Sequence, residues 1–100
     1  MRLTHYFNRL LAVVAEVSEL TTEDILHGRK TDDVVDSRWI IVKVLAEQGY
    51  STAKIAMLLD MSQRNVAYIL ASWHDRISQN AVFRSTYIQV RAMAGNISAI

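Results

Sequence analysis

Residues 58–70 read LLDMSQRNVAYIL, an apolar stretch followed by a short polar corner and a second stretch with apolar residues at helical spacing. Ser62 is a typical N-cap residue, so a helix is predicted to begin directly after it. Val66, Ile69 and Leu70 then form the start of a buried stripe along that helix. The segment therefore predicts two helices joined by a tight corner.

Small and aliphatic residues occupy the positions at which the two helices of a helix-turn-helix touch. Counted from Thr52 as the first position, they fill the fourth, fifth, eighth, tenth, fifteenth and eighteenth positions, as Ile55, Ala56, Leu59, Met61, Val66 and Ile69. The ninth position, usually a left-handed glycine, is Asp60, which tolerates that conformation better than most residues. The pattern predicts a helix-turn-helix at about residues 52–71.

In this motif the N-terminal half of the second helix approaches base edges in the major groove. The expected base contacts are Gln63, Arg64, Ala67 and Tyr68. Arginine can bond guanine in a bidentate manner and glutamine can bond adenine. Ser62 at the helix N-terminus suits a phosphate. The alternative is ordinary capping and solvation in a bundle that binds no DNA, and Tyr68 is open between a DNA contact and a partly buried packing role.

The sequence on either side of this motif also predicts helices. Proline is absent, and each of the three glycines follows a helical pattern, as expected for helix ends. The expected N-caps are Thr4, Thr21, Ser51, Ser62 and Asn80. A first helix is expected over about residues 5–19, and residues 27–36 are expected to be a polar connector before the third helix. The prediction is an all-α, compact bundle of about six helices, with residues 1–100 as one domain.

Apolar faces are also predicted for the first, third and sixth helices. The third helix is expected to bury Val35, Trp39, Val42, Leu45 and Ala46, and the sixth to bury Phe83, Tyr87, Val90 and Ala94. The first and last helices are unusually rich in apolar residues for so small a domain. Their wide faces indicate either thorough wrapping of the motif or a homodimer interface.

Composition narrows the class of protein. A chain of 100 residues with 51% hydrophobic and 21% charged residues is expected to fold. Because cysteine is absent, a disulfide framework and a thiolate zinc site are excluded. The apolar stretches are too short for a membrane span, and the N-terminus lacks a signal-peptide pattern. We therefore expect a soluble, cytoplasmic protein with no membrane partner.

The net charge of +1 is unevenly distributed. Residues 1–60 contain seven Lys or Arg against nine Asp or Glu, whereas residues 61–100 contain four Arg against one Asp. An anionic partner is therefore expected to meet the second part, helped by Arg29, Lys30 and Arg38. Lys54 is a further candidate phosphate contact, with a solvated surface role as its alternative.

No catalytic or cofactor site is predicted. His5, His27 and His74 share no metal-ligand spacing. His74 and Asp75 are adjacent on a helix and so do not face each other, and no nucleophile with an oxyanion site accompanies them. The sequence also lacks a glycine-rich phosphate loop, so no nucleotide is expected to bind. The prediction is a non-enzymatic protein without metal or cofactor.

Several segments between Val17 and about Ile77 carry a resemblance to a known family. They are Thr22-Glu23-Asp24-Ile25-Leu26, Gly28-Arg29-Lys30, Arg38, Gly49-Tyr50-Ser51 and Ile55-Ala56. Together they resemble the C-terminal DNA-binding domain of the bacterial replication initiator DnaA, in the Trp-repressor-like helix-turn-helix group. In that family the basic loop and an arginine that opens a helix contact phosphates. The resemblance implies phosphate contacts by Arg29, Lys30, Arg38 and Ser51.

The resemblance stops at the start of the recognition helix. The family has a run of Asp, His, Thr, Thr and Val there, whereas this chain has Ser62-Gln63-Arg64-Asn65-Val66 after an approach one residue shorter, and only the valine agrees. The expected target is therefore not the initiator's own site. Asp32, Asp33 and Asp36 also add negative charge to the connector that should be basic.

Taken together, these patterns predict a protein that binds double-stranded DNA, with a role in regulation, in replication or in a mobile element. The competing hypothesis is a helical protein-interaction adaptor that uses the surface around Tyr68 and the terminal helices.

Overall fold

A computed structural model describes residues 3–95, and over these residues the chain is all-α with no strand. The helices are α1 (Leu3–Ser18), α2 (Thr22–His27), α3 (Asp32–Glu47), α4 (Thr52–Leu59), α5 (Gln63–Gln79) and α6 (Ala81–Ala94). The prediction of an all-α chain with about six helices is confirmed.

Five of the helices are preceded by an N-cap residue. The side chain of each N-cap residue accepts a hydrogen bond from the backbone N–H of the residue three positions further along the chain. The capping residues are Thr21, Thr31, Ser51, Ser62 and Asn80. Each such bond satisfies one of the N–H groups that a helix start leaves without an intrahelical partner. Four of these caps were predicted. The expectation for Thr4 was wrong, because α1 begins at Leu3 and Thr4 lies inside it.

The third helix begins earlier than its polar sequence indicated. Thr31 caps it, and Asp32 and Asp33 lie in its first turn, where negative charge is favoured by the helix dipole. The expected connector over residues 27–36 is therefore wrong for its second half. Arg38 does not open the helix but lies in its second turn.

The centre of the fold is α3, which packs against each of the other five helices. Its buried residues point in nearly all directions: Val34, Ser37, Ile40, Ile41, Val42, Val44 and Leu45. The predicted single face was too narrow, because Ser37, Ile40, Ile41 and Val44 are also buried. Three residues of the predicted face, Val35, Trp39 and Ala46, are only half-buried. A helix surrounded on all sides buries residues that a one-sided periodicity assigns to solvent.

The apolar faces of α1 and α6 pack against each other and against α3. In α6 the four residues expected inside, Phe83, Tyr87, Val90 and Ala94, are all buried. Wrapping therefore accounts for most of the apolar surface of these helices. A homodimer through their outer faces stays a prediction, for which Val82 and Ile88 are the large apolar side chains left exposed on α6.

Candidate nucleic-acid interface

The corner between α4 and α5 is formed by a non-glycine residue in the left-handed conformation. Asp60 has φ 53° and ψ 51°, as expected from its place in the sequence pattern. The next residue, Met61, donates its backbone N–H to the carbonyl of Ala56 at 3.0 Å. This bond closes the end of α4 and turns the chain sharply into the cap of α5.

Buried side chains hold α4 and α5 together behind this corner. Ile55 and Leu59 on α4 and Val66 and Ile69 on α5 are all buried in the core, and the two helices pack directly against each other. We name these four residues the clasp. Because the clasp occupies one side of α5, the opposite side of its first turns is directed to solvent.

The four predicted base contacts lie together on that solvent side. Gln63, Arg64, Ala67 and Tyr68 are all exposed, and their spacing places them on one face over the first turns of α5. Tyr68 has 60% of its surface exposed. The structure therefore presents these side chains where an external partner can reach them.

A groove of about 700 Å³ runs beside the corner, between the end of α2, the start of α3 and the start of α5. Three of the predicted phosphate contacts, Lys30, Arg38 and Ser62, line this groove. Asp60 also lines it, so an anion bound there would meet a carboxylate as well as two cations. Arg29, next to Lys30, is exposed in the same loop.

The other two predicted phosphate contacts lie elsewhere. Ser51 and Lys54 line a second, shallower groove at the start of α4, together with Tyr50. The Oγ of Ser51 accepts a hydrogen bond from the backbone N–H of Lys54 at 3.1 Å, and the Oγ of Ser62 does the same for Asn65 at 3.0 Å. Each hydroxyl keeps its own proton, which it can donate to a phosphate oxygen.

Arg38 has a structural function that its sequence position did not reveal. Its Nε donates to the carbonyl of Ile25 at 2.6 Å, and its Nη2 donates to the carbonyl of Leu26 at 3.1 Å. These carbonyls belong to the last turn of α2, where helices lack intrahelical donors. The guanidinium has three further N–H groups, so a phosphate contact by Arg38 would be additional to this capping function.

The three acidic residues at the start of α3 are partly offset by other charges and by the helix dipole. Asp36 forms an ion pair with Arg76 of α5. Asp32 and Asp33 face the positive end of the α3 dipole. The three acidic residues that were expected in the connector therefore belong to α3, where their negative charge is partly neutralised.

Two residues of this surface were not predicted as part of the site. Trp39 lines the first groove, and its ring lies 6.0 Å from that of Tyr68 in an edge-to-face contact at 87°. Asn65 also lines the groove and is exposed. In the sequence Trp39 belongs to an apolar stripe, and nothing in that stripe distinguishes a core residue from one at a groove. Tyr68 packs on Trp39 and is also exposed, so it has a packing role, and its contact with DNA stays a prediction.

The chain matches no protein-family model, and no curated protein or solved structure is significantly similar to it. Within residues 3–95, no three acidic or histidine side chains come together as a metal site would require. None of the helices in that part of the chain combines the length and apolar composition needed to cross a bilayer.

Proposed function

We propose that this protein binds double-stranded DNA through a helix-turn-helix formed by α4 and α5. In this proposal α5 lies in the major groove, and Gln63, Arg64, Ala67 and Tyr68 contact bases. The observation that carries the proposal is the exposed row of these side chains on the first turns of α5, directly opposite the buried clasp. Each good bidentate base contact is worth about 1–3 kcal/mol of discrimination.

Phosphate contacts at two separate places would orient the protein on the duplex. Lys30, Arg29 and Ser62 lie on the side of the first groove, and Ser51 and Lys54 lie at the start of α4. Such contacts fix register without reading sequence. Arg38 is a weaker member of this set, because two of its N–H groups already bond α2.

The biological process is proposed from the sequence resemblance. A relation to the DNA-binding domain of DnaA would favour a bacterial cytoplasmic protein acting in replication, in regulation or in a mobile element. The differing recognition-helix residues favour a target site of its own. We propose no enzymatic activity, cofactor or nucleotide for this chain.

The test begins with selection of bound duplexes from a random pool, followed by affinity measurements at increasing salt. With about four to six phosphate contacts, log affinity should fall with log salt with a slope of about −4 to −5. Failure of the wild-type chain to associate with any duplex at about 50 mM salt would contradict the proposal.

Two variants separate base contacts from phosphate contacts. Arg64→Ala should reduce the difference in affinity between preferred and unrelated duplexes, by about 1–3 kcal/mol at one base pair. Lys30→Ala should weaken binding to all duplexes alike and reduce the salt slope by about 1. Arg38→Ala is a poor probe of phosphate contact, because it would also remove the cap of α2.

A second candidate function is that of a helical protein-interaction adaptor. It is favoured by the large apolar side chains left exposed, namely Met57, Tyr68, Val82 and Ile88. Exposed apolar residues mark an interaction surface only where they form a contiguous patch. Absence of duplex binding, combined with intact folding, would leave the adaptor as the better hypothesis.

A further inference from the structure

A cluster of aromatic and charged side chains lies directly beneath Tyr68. Trp39 of α3 contacts the Tyr68 ring edge-to-face, and the guanidinium of Arg76 lies over the Trp39 ring at 4.9 Å. The same guanidinium lies over the Phe83 ring of α6 at 5.0 Å. Arg76 also forms an ion pair with Asp36. The cluster therefore joins three helices to the base of one exposed side chain.

The order of contacts along α5 explains how this cluster can fix Tyr68. Tyr68 and Arg76 are eight residues apart, about two helical turns, and so lie on the same side of α5. Trp39 reaches both of them from α3. Tyr68 therefore rests against a ring that Arg76 also contacts.

Arg76 is held firmly itself. Only 31% of its side-chain surface is exposed, and its Nε is buried with no hydrogen-bond partner within the described residues. The planar guanidinium is thus positioned by the two rings and by the carboxylate of Asp36. A flat, delocalised cation is the group that stacks well on aromatic faces, and lysine does not replace it there.

We propose that Trp39, Arg76 and Asp36 are positioning residues for Tyr68, which acts as a specificity determinant on the DNA-facing side of α5. This inference rests on the proposed function. A tyrosine that is 60% exposed would otherwise sample several rotamers and lose that freedom on binding. Because Trp39 holds the Tyr68 ring, the ring is already oriented when it meets a base edge such as a thymine methyl. A contact that is oriented before binding discriminates between bases.

The experiment measures the affinity for the duplex selected from a random pool and the affinity for an unrelated duplex. The first divided by the second is the affinity ratio. Tyr68→Ala should lower this ratio by about three- to tenfold, the range expected for one aromatic contact. Arg76→Gln should lower it by a similar factor. The double variant should fall no further than either single variant, because Arg76 acts through Tyr68. Arg9→Gln, which removes a charge from the exposed face of α1, is the matched control and should leave the ratio unchanged.

A merely structural function of Arg76 would give a different result. In that case Arg76→Gln would lower thermal stability and weaken binding to all duplexes alike. The affinity ratio would then stay at its wild-type value, and this result would overturn the inference. Should Arg76→Gln fold poorly, Arg76→Lys carries the test, because it retains a charge opposite Asp36 but not the planar group on Trp39. A wild-type ratio in Arg76→Lys would then overturn the inference. Absence of duplex binding by the wild-type chain would overturn the proposed function and this inference together. An unchanged affinity ratio in the Arg76 variants, with duplex binding intact, would overturn this inference alone.

Discussion

At the scale of single residues, Asp60 shows how a backbone conformation selects a side chain. Its φ of 53° places it where most L-residues lose about 1–2 kcal/mol, while Asp, Asn and Gly are tolerated. The turn that it makes sets where α5 begins. The residue at this corner therefore controls the direction of the proposed recognition helix without being expected to contact DNA.

The stability of variants at Asp60 should depend on how well the new residue tolerates the left-handed conformation, and not on its charge. We expect Asp60→Asn and Asp60→Gly to keep wild-type stability, whereas Asp60→Val should lose about 2 kcal/mol or more of unfolding free energy, because a β-branched residue is strained there. Denaturant unfolding followed by circular dichroism measures this. If the valine variant were as stable as the asparagine variant, the corner would not have the conformation described.

At the scale of helices, α2 depends on other parts of the chain. A helix of six residues is far too short to be stable alone. Its start is closed by a capping box between Thr21 and Asp24, and its end by Arg38. Gly28 allows a close approach, because a Cβ there would lie 2.5 Å from the carbonyl oxygen of Asp24.

Removal of the Arg38 cap should destabilise the protein even in the absence of DNA. Arg38→Met should cost about 2 kcal/mol of unfolding free energy, since hydrogen bonds to charged groups contribute about 1.5–3 kcal/mol. Arg9→Met on the exposed face of α1 is the control and should change stability by less than about 0.5 kcal/mol. Equal stabilities of the two variants in denaturant unfolding would show that Arg38 does not cap α2.

The helix α3 should be the element most sensitive to truncation. Ile41→Ala removes a side chain that is 0% exposed and should cost about 2–5 kcal/mol, through lost burial and the cavity left behind. Ile88→Ala is the matched control on α6, where the side chain is 59% exposed, and should cost less than about 0.5 kcal/mol. Thermal and denaturant unfolding both measure the difference, and similar losses of stability at the two sites would contradict the burial of Ile41 in the core.

At the scale of the whole molecule, buried and partly buried tyrosines couple folding to high pH. Burial is the main factor that raises the pKa of Tyr6, Tyr50 and Tyr87 above the ordinary value. The hydroxyl of Tyr87 donates to the Oε2 of Glu47 at 2.7 Å and thereby links α6 to α3. The Tyr6 hydroxyl is buried with no hydrogen-bond partner among the described residues.

These pKa shifts predict unfolding in alkali. Above about pH 10, where an unfolded tyrosine ionises, the folded chain binds more protons than the unfolded chain, so stability falls as pH rises. Below that pH the contribution is fully present. Tyr6→Phe should reduce the alkaline loss, and at neutral pH it should raise stability by about 1 kcal/mol, because it removes an unsatisfied buried hydroxyl. Denaturant unfolding at pH 7 and pH 11 tests both statements. A steeper alkaline loss of stability in Tyr6→Phe would contradict the first, and a lower stability of this variant at pH 7 would contradict the second.

Features that depend on neighbouring residues could be predicted from the sequence. The helices, most of their caps, the left-handed Asp60 and the buried clasp follow from hydrogen bonds between residues three or four apart and from the 3.6-residue period. The exposed row from Gln63 to Tyr68 follows from the same period, since it lies opposite the clasp. The start of α3 was missed, although Thr31 followed by two acidic residues is a local signal for it.

Which face of a helix meets which neighbouring helix depends on how the helices pack. Periodicity shows that a helix has an apolar face but not what covers it, so the surrounded position of α3 and the packing of α1 on α6 were not predictable. The bonds from Arg38 to the end of α2 and the cluster of Asp36, Trp39 and Arg76 beneath Tyr68 join residues 12 to 40 positions apart in the chain. Contacts of this kind depend on how whole helices pack, and no local pattern of residue types specifies them.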